Sequence, residues 1–207
     1  MMVETMASKP GVRMAALFAY AAGVTGILAN LFLIAFYALQ AHQPENGTSL
    51  GSANDLVGSL STAFMIPVAL ALSTWLPDRR RAWTSLVVGL SAMAVLVVGG
   101  PLLVFGVLAF EVQAPIALGA GMILFLWLLL INRWLRQSGA LQPRVARFGE
   151  FLGTGILAGG ALAGFGFLLP WMSWPQLIFF GAGGTLAVIV MLGTTFWFLL
   201  LGRQLAA

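Results

Sequence analysis

Six long apolar segments, 14–40, 56–76, 83–110, 115–132, 148–169 and 176–201, make up most of this chain, and no charged residue lies near the middle of any of them. A membrane-spanning helix needs about 20 apolar residues. In hydrocarbon every backbone N–H and C=O must be satisfied within the protein, so only helices and closed barrels cross a bilayer. Barrel strands alternate lipid-facing apolar and lumen-facing polar residues, whereas these segments are unbroken runs, so helices are predicted. Composition agrees: 60% of the 207 residues are hydrophobic and 8% are charged, against roughly 25% charged in a soluble domain. The predicted fold class is all-α, a single polytopic transmembrane domain over residues 1–207. Its first segment far exceeds the signal-peptide core of about 7–15 residues, so it is expected to be retained as an anchor.

The ten basic residues set the orientation. Lys9 and Arg13 precede the first segment, Arg79, Arg80 and Arg81 precede the third, Arg133, Arg136, Arg144 and Arg147 separate the fourth from the fifth, and Arg203 follows the sixth. With six spans, all ten fall on one side. The stretches 41–55, 111–114 and 170–175 carry none, and hold His42, Glu45, Asp55 and Glu111. The positive-inside rule then predicts both termini in the cytoplasm, with the arginine clusters as cytoplasmic anchors. Arginine in place of lysine, in a chain rich in Ala, Gly and Leu, points to a GC-rich bacterial genome, and the expected location is a bacterial inner membrane. The pI near 10.7 does not indicate nucleic acid, because the net charge is only +4 and topology accounts for the clusters. Trp75, Trp83 and Trp134 are expected at the inner interface and Trp171 and Trp174 at the outer one, where amphipathic rings prefer to lie.

Small residues mark helix contacts in lipid, since close packing drives association there. At 100° per residue, Gly149, Gly153, Gly160 and Gly164 fall on one face of the fifth helix, and Gly155, Gly159 and Gly166 on another. Two such stripes predict neighbours on two sides and a central place for this helix. In the first helix Ala16, Ala19, Gly23, Gly26, Asn30 and Tyr37 share a face expected to point inward. Pro67 and Gly99-Gly100-Pro101 are expected kinks. Thr25-Gly-Ile-Leu-Ala29 recurs as Thr154-Gly-Ile-Leu-Ala158, which is compatible with hairpin duplication or with chance.

Reactive groups are scarce. The absence of cysteine excludes disulfides, thiolate catalysis and zinc–cysteine sites. Ionisable residues inside a membrane mark function, yet Asp55, Glu111 and Glu150 all sit near segment ends. One histidine cannot ligate a haem twice, Lys9 lies outside any segment, and no zinc-protease, P-loop or nucleophile-elbow motif is present. No metal, cofactor or catalytic residue is predicted; His42 with Glu45 offers too few ligands. The remaining polar set, Asn30, Tyr37, Gln40, His42, Asp55, Ser59, Glu111, Gln113 and Gln176, clusters toward the outer side. It reads either as ordinary interfacial polarity or as an outward-facing pocket, with Asn30, Tyr37, Asp55, Ser59, Glu111 and Gln113 as its candidate ligand-binding residues.

The stretches Gly11-Val-Arg-Met-Ala-Ala-Leu17, Gly51-Ser-Ala-Asn-Asp-Leu-Val-Gly58 and Phe196-Trp-Phe-Leu-Leu-Leu-Gly-Arg203 resemble those of small six-helix bacterial membrane proteins grouped as domains of unknown function. The resemblance covers most of the chain in layout and implies neither a catalytic residue nor a substrate. The expected role is a non-enzymatic membrane module, structural, accessory or partner-binding, embedded in the lipid bilayer with a possible membrane-protein partner. The alternative is a binder or carrier of a small apolar or amphipathic molecule.

Overall fold

A computed structural model describes residues 10–40 and 48–207 of the chain. It contains six helices: α1 Pro10–Gln40, α2 Thr48–Ser73, α3 Arg79–Val104, α4 Phe110–Gln137, α5 Pro143–Phe167 and α6 Trp174–Ala206. All six are long and apolar enough to cross a membrane, and no strand occurs among the described residues. With 25 residues in α5 and 33 in α6, the helices reach about 37–50 Å at 1.5 Å per residue. That exceeds a hydrocarbon core of about 30 Å.

Local chemistry sets the helix ends. The Asp78 carboxylate caps α3 by accepting from the Arg80 amide at 2.8 Å, which places Arg79, Arg80 and Arg81 in its first turn. Gly106, at φ +69°, stops α3 short of the expected residue 110, because a left-handed residue ends the helical hydrogen-bond pattern. Pro143 stands at the start of α5, where its missing N–H costs nothing. The Ser173 hydroxyl accepts from the Gln176 amide to cap α6. Two starts differ from expectation. Helix α2 begins eight residues before 56, so Ser52, Asn54 and Asp55 lie inside the helix. Helix α4 begins at Phe110, not 115, and runs beyond 132 to carry Arg133 and Arg136. Helices α2 and α3 continue through Pro67 and Pro101.

The helices form a closed antiparallel ring. Each packs against its neighbours in sequence, and α1 closes the ring against α6. The expected central place for helix 5 is therefore corrected: α5 packs against α4 on one side and α6 on the other, as every helix here packs chiefly against two. Its glycines divide accordingly. Gly149, Gly153 and Gly160 face Asn132, Leu129 and Met122 of α4, while Gly155, Gly159 and Gly166 face Val190, Gly183 and Phe180 of α6. Gly164 touches neither and is exposed. On α1, Gly23 and Gly26 receive Leu199 and Thr195 of α6.

An up-and-down ring of six puts the start of α1 and the end of α6 at the same end. Arg13, Arg79, Arg80, Arg81, Arg133, Arg136, Arg144, Arg147 and Arg203 all lie at that end; Lys9 falls outside the described residues. Here Arg136 of α4 holds Glu150 of α5 through two bonds, Nε to Oε1 at 2.6 Å and Nη2 to Oε2 at 3.1 Å. Such forked pairs fix geometry as well as charge. Glu150→Gln is expected to lower the melting temperature slightly, and by less in about 1 M salt, where partly exposed pairs are screened. Thermal melts at two ionic strengths measure the difference.

Beyond this end, the basic half of the ring is filled. Leu72, Met93, Trp127, Ile131, Leu135, Trp197, Phe198 and Leu201 are buried almost completely. The Trp127 indole donates to Ser85 Oγ at 2.9 Å and the Trp197 indole to the Val145 carbonyl at 3.1 Å. Both rings are packed inside the bundle, whereas Trp83, Trp171 and Trp174 are exposed.

Candidate functional site

The other half of the ring is not filled. It encloses a cavity of about 530 Å³ lined by residues of all six helices. Small side chains make the space. Ala22, Gly26 and Ala29 of α1, Gly58 of α2, Gly100 of α3, Gly121 of α4, Gly159, Gly160 and Ala163 of α5, and Gly183, Gly184 and Ala187 of α6 all border it. Met65, Phe125 and Phe198 line both the cavity and a minor void beneath it, so they form the floor above the packed half. The cavity is not sealed, since Leu118 and Met191 line it while 68% and 40% exposed.

The lining is polar on one side only. Asn30, Asn54, Asp55, Ser59, Ser61, Thr62 and Gln113 come from α1, α2 and α4. Helix α5 contributes no polar side chain to the lining, and α6 contributes Thr194 and Thr195 near the floor. The hydroxyls are committed to backbone: Ser59 donates to the Leu96 carbonyl at 3.1 Å, Ser61 to Ala22 at 2.9 Å, Thr62 to Gly58 at 2.9 Å, Thr194 to Val190 at 2.8 Å and Thr195 to Leu192 at 2.7 Å. The amides are not. Among the described residues the side chains of Asn30 and Gln113 have no hydrogen-bond partner, and the Asp55 carboxylate accepts only from the Asn54 amide, at 3.3 Å.

Glycine brings α2, α3 and α4 together at this level. A Cβ on Gly100 would strike Ser59 Oγ and come within 2.7 Å of the Asp55 carbonyl. One on Gly99 would lie 3.8 Å from the Gln113 amide nitrogen.

Of the candidate ligand-binding residues, the ring thus gathers Asn30, Asp55, Ser59 and Gln113 around one cavity. It does not gather the other two: Tyr37 is 63% exposed on the outside of α1, and Glu111 is exposed at the start of α4. The inward face expected of α1 thus holds as far as Asn30 and does not include Tyr37. Gln40 is exposed. Gln176 is buried but occupied, donating to the Gly166 carbonyl at 3.3 Å and accepting from the Met172 amide at 2.7 Å. It clamps the α5–α6 turn, where Met172 adopts φ +59°. His42 and Glu45 lie outside the described residues, and no group of three or more His, Asp or Glu residues that could hold a metal occurs among those described. Asn54 was not among the expected site residues; its place in the lining depends on α2 starting at Thr48.

Among the described residues the ion pairs are Arg81–Asp78 and Arg136–Glu150, both at the basic end. Among the described residues, Asp55 is the only ionisable one in the cavity lining. The starts of three helices and the ends of three others meet at this end of the ring, so their dipoles oppose one another. The local charge is therefore set by the side chains. No family model, curated protein or solved structure matches this chain.

Proposed function

We propose that the protein is a non-enzymatic multi-pass protein of the bacterial cell membrane that binds a small amphipathic molecule in this cavity. In this reading the basic end and both termini face the cytoplasm, following the positive-inside rule, and the cavity opens toward the opposite face. One observation carries the reading: a half-filled ring with a cavity of about 530 Å³. Small-molecule sites are commonly about 300–1,000 Å³ and largely apolar, with a few polar groups that fix orientation. A purely structural or accessory module has no use for such a space. An unfilled void also forfeits dispersion contacts along its whole lining. The polar arc of α1, α2 and α4 suits a headgroup, and the smooth arc of α5 and α6 suits an apolar chain.

Filling the cavity tests this. Gly121 lines it, and nothing lies within 4 Å of where its Cβ would be. Gly121→Phe is expected to leave the melting temperature unchanged and to cut photolabelling of cavity residues by a diazirine-bearing medium-chain alkanol by roughly tenfold, a blocked pocket having no other route to burial of the probe. Unchanged labelling, mapped by mass spectrometry, would sink the proposal.

A further inference from the structure

We infer that the cavity selects amphiphiles with a primary ammonium headgroup, seated by Asp55 together with the side-chain carbonyls of Asn30 and Gln113. This rests on the cavity being a binding site and names the class of molecule that it takes.

Three observations converge. Asp55 is the only ionisable residue in the lining, and no cation answers it among the described residues. Its carboxylate has one neutral partner, the Asn54 amide. A carboxylate at the mouth of an apolar cavity repels an anionic headgroup and is better satisfied by a cation than by a hydroxyl, because a cation adds to the hydrogen bond a Coulomb attraction that a partly buried site screens less than water does. The second observation concerns donors. An ammonium carries three N–H donors and no acceptor. Asn30 and Gln113 line the same space without a hydrogen-bond partner among the described residues, and each offers a carbonyl acceptor. The Asp55 backbone and the Gln113 side chain both approach the Gly99-Gly100 step of α3, so they lie at one level of the ring.

The third observation concerns alternatives. A bare metal ion is far smaller than a space of about 530 Å³. Quaternary ammonium groups are typically held by aromatic cages, and the only aromatic residues in the lining are Phe125 and Phe198 on the floor, away from Asp55. A primary amine on an apolar tail fits the acceptors at the mouth and the smooth α5–α6 wall below.

The test uses the full chain in phosphatidylcholine nanodiscs near neutral pH, with two diazirine probes of equal chain length, an alkylamine and an alkanol. The amine is expected to label cavity peptides at a concentration roughly tenfold lower than the alkanol, the size of one good charge-assisted bond. Asp55→Asn, which keeps the shape, should bring the amine to the level of the alkanol measured on the same variant. Asp55→Glu should keep the preference. Glu111→Gln, at an exposed carboxylate outside the cavity, should leave it intact. Equal labelling by both probes in the parent protein, a preference that survives Asp55→Asn, or one abolished by Glu111→Gln would overturn ammonium selection while leaving cavity binding standing. Absence of cavity labelling by either probe would overturn both.

Discussion

Replacing Gly153 with leucine should destabilise the bundle by about 3 kcal/mol, the upper end of the cost of overpacking. A Cβ at this position would come within 2.7 Å of the Phe125 carbonyl and 2.8 Å of the Leu129 amide nitrogen. Those atoms belong to the α4 backbone. A flexible side chain can move aside, but a helix backbone moves only as a body, so α4 and α5 must separate along their length. Separation forfeits the close packing that holds helices together in lipid. Gly164 is the matched control: it lies on the same helix, and nothing stands within 4 Å of its Cβ position. Gly164→Leu should change stability by less than about 0.5 kcal/mol, as exposed substitutions do. Reversible unfolding of the two variants in the same detergent measures the contrast, and equal losses would show that glycine content matters and contact geometry does not.

Trp197→Ala should cost a similar amount, about 3 kcal/mol. The ring is fully buried, stands edge-on to Phe198 with centroids 4.8 Å apart, and donates to the Val145 carbonyl. In water-soluble proteins such truncations cost 3–5 kcal/mol, part of it lost transfer from water and part the cavity left behind. Here the transfer part is small, because separated helices remain in hydrocarbon. The cavity part persists and puts the loss at the lower end. Trp197→Phe separates the contributions: it keeps most of the volume and loses the hydrogen bond, at about 1 kcal/mol. Thermal melts of both variants should therefore rank alanine well below phenylalanine.

Helix number and type were legible from the sequence because the solvent dictates them. A run of apolar residues too long for a soluble core has one regular solution in lipid. The glycine stripes of α5 were legible as contacts, since glycine at Gly-xxx-Gly spacing lets backbones meet. Their meaning was not legible. Two contact faces describe a central helix, and they equally describe any member of a ring. Nothing in α5 alone separates the two; the separation comes from α1 meeting α6, which depends on residues more than 170 positions apart. The site was half legible for a related reason. Polarity at Ser52, Asn54 and Asp55 resembles a helix end to any reading based on hydropathy, because caps and cavity walls use the same residue types. Only the true start of α2 decides. Tyr37 was placed inward by extending the face of α1 about two turns past Asn30. The helix does continue there, and α2 still meets it through Gly51 against Phe36, but Tyr37 lies on the outside.

The α1–α6 contact also has a consequence in time. Translation releases α1 before α6, so the seam that completes the ring joins the first of these six helices to the sixth. Until α6 emerges, the side of α1 bearing Ala16, Gly23 and Gly26 has no final partner, and the cavity lacks Phe198 from its floor and has no sixth wall. The cavity is thus completed only once all six helices have been made, and a chain cut short before residue 174 has five helices and no closed cavity.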